Sequence, residues 1–476
     1  MTTIFSAAGT TTGNTVPMPT TPLPPAPMPA AVLTGGRILA DGVTVGNDTH
    51  TTGLNNNDVV IGASGTGKTR GYVLPNLLQC EGSMIVADTK GGLYHRVGPL
   101  LESQGYEVQL LDFTDMEFSP YGYNPMSFIR RDEMSGGPNG MDVMALTAAL
   151  APDELGGDVF WDRAARMQLS ALVGYVMEAM PEDERDLHAV THLLVNHTLR
   201  ELNAMFEALL DDNPRSFALL KWRMSTLCFG ADRMQSSIMG IMAEKLDCYS
   251  YTGPYALFTN PRQVDFARMG ERRTALFLNI SDTDRSQDRL VNALYMQALQ
   301  TLCRTADAAP GGRLAVPVRI ILDDFAANAT IPDFDKVISV IRSREIAVSI
   351  ILQSVSQLEA MYGPARARTI LNNCDHCLYL GGQDVATSRY VATKAGTTVN
   401  AVLDMPVGDA YLFTRGSRPR QVRMTRPESH PRYAAMLGAM RRHGPDNASM
   451  FDADILGDTG RTDRPSPRHP SGQSFA

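Results

Sequence analysis

The stretch DVVIGASGTGKTRGYVLPNLLQ, residues 58–79, decides the fold. Four residues with an apolar core, DVVI, read as a short strand, and TRGYVLPNLLQ reads as a helix that Pro75 ends or kinks. Between them Gly62, Ala63, Ser64, Gly65, Thr66, Gly67, Lys68 and Thr69 fit G-x-x-x-x-G-K-[ST]. Glycines let backbone N–H groups close around phosphate oxygens, and the following helix presents the positive end of its dipole. Lys68 then reaches the outer phosphates, and the Thr69 hydroxyl ligates Mg²⁺. A plain glycine-rich turn would not need the strand before and the helix after. The segment therefore predicts a site for ATP with Mg²⁺.

Outward from that loop, SMIVAD (83–88) and EVQLLD (107–112) read as further strands, with a helix over 93–104 between them. Strand–helix alternation implies parallel βαβ units. The pattern then changes. FWDRAARMQLSALVGYVMEAM (160–180) is an apolar helix, and in 197–210 Leu199, Leu202, Met205, Phe206 and Leu209 recur at helical spacing. Strand patterns return at 274–280, 318–324, 347–353, 376–382 and 409–415. The predicted fold class is α/β, a RecA-like P-loop NTPase domain with a mostly parallel sheet, interrupted by an all-α domain. Its sheet comes from two sequence-distant halves, 31–135 and 256–440, with the all-α domain over 136–255. Residues 1–30 read as a disordered Pro/Thr-rich tail and 441–476 as a second one.

Bulk properties bound the function. The 476 residues carry a formal net charge of −8, which argues against coating nucleic acid by bulk attraction but allows a local basic surface. Six scattered cysteines form no disulfide framework, which points to a reducing cytosol. No apolar run is long enough for a spanning helix, and no secretory signal pattern opens the chain.

VRIILDDF (318–325) ends an apolar strand in two acids, facing the ligand crevice of a parallel sheet. Asp323 suits a Mg²⁺ partner, and Asp324 suits the acid that orients or deprotonates attacking water. Gln353 closes the next strand, where an amide senses the γ phosphate or simply bonds at a strand end. Arg342 and Arg344 precede that strand; one suits an arginine finger offered to a neighbouring subunit, although a solvated helix end is the commoner setting. Cys374 and Cys377 have C-x-x-C spacing but lack a second ligand pair, and His188, His192 and His197 lack a zinc-protease Glu. Both are read as structural. Arg415, Arg418, Arg420, Arg423 and Arg426 form either a basic edge for phosphates or an exposed loop before a tail.

Taken together these residues resemble the type IV secretion coupling proteins, the conjugative DNA-transfer ATPases, and most closely the Gram-positive mobile-element type. The likeness runs from TGLNNNDVVIGASGTGKT through YGYNPM (121–126) and FWDRAARMQLSALVGYV (160–176). It resumes at ILDDFAANATIPDFDKVISVIRSREIAVSIILQSVSQLEAMYG (321–363) and ILNNCDHCLYLGGQD (370–384). The resemblance implies a RecA-like motor carrying an all-α domain, a homo-hexameric ring, and ATP between subunits with an Arg supplied in trans. On this sequence it matches Gly62–Thr69 to the nucleotide loop, Asp323 to the metal-side acid, Gln353 to the strand-end glutamine and Arg342 to the finger, with Arg344 in reserve. Implied partners are single-stranded DNA, a relaxase and type IV secretion channel subunits.

Three departures stand out. Asp324 replaces the usual Glu, which sets its carboxylate one methylene back and implies slower hydrolysis or a bridging water. The family's DPKGE is DTKGG here (88–92). Transmembrane helices are not seen, so the protein is expected in the cytoplasm, or at the inner face of the cell membrane through a partner subunit. The leading expectation is an ATP-dependent DNA translocase, or coupling ATPase, linking a relaxase–DNA complex to the channel. The alternatives are a nucleotide-gated docking adaptor and a cytosolic DNA-pumping ATPase.

Overall fold

A computed structural model describes residues 35–89, 91–152, 159–228, 232–325 and 330–442. Eleven strands are described, in chain order. β1 (Arg37–Ala40) and β2 (Val43–Val45) form an antiparallel hairpin. β3 (Asp58–Ile61), β4 (Ser83–Asp88), β5 (Glu107–Asp112), β6 (Thr274–Asn279), β7 (Val318–Leu322), β8 (Ile346–Leu352), β9 (His376–Tyr379), β10 (Asp409–Thr414) and β11 (Arg420–Arg423) build one nine-stranded sheet. Its order is β11-β10-β9-β3-β8-β7-β4-β6-β5. From β9 to β5 every neighbour runs parallel, and only β10 and β11 turn the edge antiparallel.

The central strands are apolar on both faces because helices cover both. Side chains alternate with period two. In β3, Val59 and Ile61 enter one core and Val60 the other; β8 divides Ile350 and Leu352 from Ile351 likewise. The second core is closed by the helix Gly92–Ser103, by Tyr72 and Leu77 of the segment after Gly67, and by Met436 and Ala439 of the helix Tyr433–Arg442. The first core is larger and continues without a break into the helices between β5 and β6.

Between Asp112 and Thr274 the named elements described are all helical. In the helix Leu199–Asp212 a Thr198–Glu201 capping box fixes the start, and Leu202, Phe206 and Leu209 are buried on one face. Leu199 and Met205, on the same predicted stripe, are only partly buried against that core. Phe206 stacks on Trp222 of the helix Phe217–Cys228 at 4.3 Å between ring centres, which ties two of these helices together. The N-terminal tail read over 1–30 lies outside the described residues, as do 443–476 of the C-terminal one. Arg441 and Arg442 instead close the helix Tyr433–Arg442.

The helix does not end at Pro75 but runs on to Leu78. A π-wound first turn, Thr69–Val73, runs directly into the helix Leu74–Leu78, with Pro75 near the start of that second piece. The Leu74 N–H donates to Thr69 O rather than to a carbonyl four residues back. That wider turn accommodates a residue that has no N–H to give.

One polar layer crosses the otherwise apolar sheet. Asp58, at the start of β3, is nearly fully buried and accepts from Arg37 Nε at 2.9 Å and Tyr72 Oη at 2.6 Å, with Arg319 Nη1 at 3.5 Å. The two guanidinium groups hold its carboxyl below the usual range against the opposing cost of burial. Tyr72 also meets Ser349 Oγ of β8 at 2.9 Å, and Arg319 reaches the same hydroxyl at 3.0 Å. Asp58→Asn leaves buried Arg37 and half-buried Arg319 without this counter-charge and should lower folding stability by about 3–5 kcal/mol in urea denaturation. A loss below about 1 kcal/mol would contradict this placement of the charge.

Candidate functional site

The loop after β3 starts where three strands end together. Gly62 N donates to Leu352 O of β8 at 3.0 Å, and Ala63 N donates to Gly381 O beyond β9 at 3.0 Å. Gly65 and Gly67 take φ of +77° and +84°, a left-handed region that would strain a residue with a Cβ. Two such turns curl the chain so that the amides ahead of Thr69 converge at a helix start, the arrangement that receives phosphate.

Lys68 is buried, and its ammonium donates to the loop's own carbonyls, Gly62 O at 2.9 Å and Ala63 O at 3.2 Å. This folds the side chain back over the loop and points its charge at the concavity. Thr69 Oγ1 donates to Asp323 Oδ2 at 2.5 Å, across 254 residues of sequence. The contact spans β8, because the strand order is β3-β8-β7 and Asp323 follows β7 directly.

Asp324 has φ of +47°, uncommon for a residue with a side chain. Its N–H bonds to Asp323 Oδ1 at 3.0 Å, and its carboxylate turns back to stand 3.9 Å from Lys68 Nζ. Asp324 Oδ1 is buried without a hydrogen-bond partner. Asp323 is 4% exposed, and burial pushes its carboxyl up to about 6, helped by neighbouring Asp324 and opposed by Thr69 and Lys68. A buried carboxylate against a hydroxyl, beside an acceptor lacking a donor, suits a hard divalent cation. Mg²⁺ takes one or two protein oxygens and fills its octahedron with phosphate and water.

Gln353 lies one residue past β8, exposed, between the loop and the two acids in strand order. Its amide carbonyl faces Gln357 Nε2 at 3.5 Å. The structure thus brings Gly62–Thr69, Asp323, Asp324 and Gln353 to one end of the sheet. Arg342 is not there. It precedes β8, at the opposite end of a seven-residue strand that spans about 23 Å, and it donates to Thr49 O at 3.2 Å. Arg344 forks onto Asp307 at 2.8 and 3.0 Å.

The remaining sequence candidates find ordinary settings. Cys374 and Cys377 are buried, and burial raises both thiols. His188 and His192 lie on the helix Leu187–Asn196, and His197 follows it. Of the clustered arginines, Arg415 grips Asp375, Arg423 stands 3.7 Å from Asp409, and Arg418, Arg420 and Arg426 are exposed. In DTKGG, Asp88 accepts from Leu93 and Tyr94 N–H at the start of the next helix, while Lys90 lies outside the described residues.

Sequence reading missed two things here. Met424, just past β11, lies against the loop helix so closely that a Cβ on Gly71 would sit 2.4 Å from its sulfur. Arg70 pairs with Glu428 beside it, at 2.5 Å. The polar layer under the site was the other omission. It had a signal, because Asp58, Arg319 and Ser349 each stand four residues before Gly62, Asp323 and Gln353.

Comparison with known proteins gives the family and the fold. The family model for type IV secretory system conjugative DNA transfer matches residues 28–403. Protein VirD4 of Rhizobium radiobacter is 22% identical over 402 residues, 80% of this chain but only 55% of that protein. Among solved structures, the bacterial conjugative coupling protein TrwB in complex with sulphate aligns with a TM-score of 0.63 at 16% identity, covering 82% of this chain and 90% of that one. TrwB in complex with ADP and Mg²⁺ gives 0.62 at 15%, over 83% and 89%. These likenesses establish a TrwB-like fold. No helix among the described residues is long and apolar enough to cross a membrane.

The raised carboxyl of Asp323 carries a pH signature. Its proton is held more tightly in the folded protein than in the unfolded chain, so this contribution to stability is complete below about pH 4 and lost as pH rises through about 6. Asp323→Asn removes the loss. Without nucleotide or divalent cation, the variant should exceed the parent in stability above pH 6, by on the order of 2–3 kcal/mol, and match it near pH 4. Urea midpoints across that range check it; a parent as stable as the variant at pH 7.5 contradicts it.

Proposed function

The chain belongs to the type IV secretory system conjugative DNA transfer family, and on that footing we propose that it is an ATP-driven DNA translocase coupling a relaxase–DNA complex to a secretion channel. It spans about half the length of the VirD4 relative it matches, so the activity is argued from its own residues. One observation carries the reading: Thr69 and Asp323, 254 residues apart, meet at 2.5 Å beside Lys68 and Asp324. That is the constellation phosphoryl transfer to water needs.

In this reading the amides of Gly62–Thr69 cradle the β and γ phosphates of ATP. Thr69 and Asp323 hold Mg²⁺, which when bound neutralises charge on the transferring phosphoryl; TrwB was solved with ADP and Mg²⁺. Lys68 moves its ammonium from the carbonyls of Gly62 and Ala63 to phosphate oxygens, where it stabilises charge that grows in the transition state. Asp324 accepts a hydrogen bond from the attacking water and takes its proton at a carboxylate oxygen. Gln353 directs its amide at the same water or at the γ phosphate.

Arg342 acts in trans. A residue about 23 Å along the strand from its own loop serves a neighbouring copy's nucleotide, and the family resemblance puts that working unit at a homo-hexameric ring. Residues 31–135 and 256–440 form the motor, 136–255 the all-α domain, and single-stranded DNA is the moved substrate. The protein acts in the cytoplasm or at the inner face of the cell membrane.

A nucleotide-gated docking adaptor is the second reading. It is favoured by Asp324, whose shorter side chain leans on Lys68 at 3.9 Å. DNA-stimulated hydrolysis by wild type and Asp324→Glu separates the two: turnover in either supports the motor, and none in both, with relaxase bound, supports the adaptor. For the motor, Lys68→Ala should lower kcat by about 100-fold or more without changing the circular dichroism or Tm. Retained turnover in that variant sinks the assignment.

A further inference from the structure

Arg342 does not stand alone at the lower edge of the sheet. It lines a cavity of about 290 Å³ whose other walls include Asn55, Asn57, Asn373, Asp375 and Arg415. β10 delivers Arg415 to this place. Thr414 pairs with His376 at the start of β9, and Arg415 N donates to Asp375 O at 2.9 Å, one step further down the same ladder. Because Asp58 of β3 pairs with His376, this is the end of the sheet farthest from the nucleotide loop.

The surroundings hold Arg415 in place without using it up. Asp375 accepts from Arg415 Nε at 2.6 Å and Nη2 at 3.0 Å, and its second oxygen also accepts from Asn55 N at 2.6 Å. Nη2 donates further to Gly53 O at 2.9 Å, while Nη1 has no partner among the described residues. Asn55 and Asn57 both donate side-chain amides to Asn373 O at 3.0 Å, which ties the loop before β3 to the loop before β9. Arg342 contributes only one bond, from Nη2 to Thr49 O. Two guanidinium forks with unused N–H groups therefore border one cavity, the geometry that recognises a polyoxyanion.

Among the described residues the upper edge offers fewer cations than the lower: Asp323 and Asp324 add negative charge beside the loop, Lys68 faces Asp324, and Arg70 is engaged by Glu428. With a divalent cation bound, phosphate and carboxylate charges still exceed those of the ion and Lys68, so a cation brought by a neighbouring copy would stabilise the transferring phosphoryl. We propose that Arg415, oriented by Asp375, is a second trans cation: with Arg342 it grips the phosphate tail of the nucleotide bound by a neighbouring copy of this chain. The inference rests on the ring reading of Arg342 and adds a residue to it.

Mixed assemblies of the full chain test both, reading ATP hydrolysis. Arg415→Gln alone should lose at least about tenfold in kcat with little change in KM, and mixing it with Lys68→Ala should restore turnover above the sum of the two alone. Restoration arises because each Lys68→Ala subunit lends an intact Arg415 to a neighbour whose own loop is intact. Arg342→Ala mixed with Lys68→Ala is the control. Restoration for Arg342 but not for Arg415 overturns this inference and leaves the ring reading standing; restoration for neither, in assembled rings, overturns both. Loss confined to the DNA-stimulated part of turnover assigns Arg415 to DNA and overturns the inference as well. Should Arg415→Gln fail to fold, Arg415→Lys keeps a cation against Asp375 but loses the fork. It should retain Tm, lose turnover and recover on mixing, and wild-type turnover in it overturns the proposal.

Discussion

The site depends on one contact, the Thr69 hydroxyl against the Asp323 carboxylate at 2.5 Å. A phosphate loop on its own binds an anion and does nothing to it. Bringing a carboxylate to that hydroxyl requires β7 to end within two residues of the level of β3, with β8 between them, so that the acids just past β7 rise to the loop. The parallel register supplies this: Ile61 lies beside Leu352, and Leu322 beside Ile350. Everything that sets the register, from the two apolar cores to the helices covering them, acts on the site through that alignment.

Below the site, the same three strands carry Asp58, Ser349 and Arg319 in one buried polar layer, joined to the loop helix by Tyr72. An apolar layer would have been simpler to bury, since a buried ion pair is weak evidence for stability. What the layer adds is directionality. A slip of one strand by one residue would turn its charged group to the other face, so the layer fixes the register the catalytic end needs. Tyr72 sits three residues after Thr69, so that requirement reaches the phosphate loop directly.

Much of this was readable from sequence, for a physical reason. The loop is a local motif with steric demands that only Gly65 and Gly67 meet, and β3, β4, β7 and β8 are apolar runs that only a sheet covered on both faces explains. Asp323 and Asp324 were legible because strand ends in parallel sheets face the ligand. Strand order was not legible, because nothing local tells β8 to lie between β3 and β7. The hairpin β1–β2 escaped notice because three- and four-residue strands leave too short a pattern to read. Arg415 was read only as one of five clustered arginines, a basic edge for phosphates or an exposed loop, because its partner Asp375 lies 40 residues away and joins it through the β9–β10 ladder. The π-wound turn ahead of Pro75 was not legible, because it is a backbone response that composition does not announce.

The central claim is that the site works between copies of the chain, since the loop and Arg342 lie at opposite ends of β8. The most direct test is specific ATPase activity of the intact chain against its own concentration, with assembly mass followed on the same samples. The account predicts specific activity that rises steeply with concentration, in step with the ring. Activity per chain that stays constant down to the concentration where only monomer is present would contradict it.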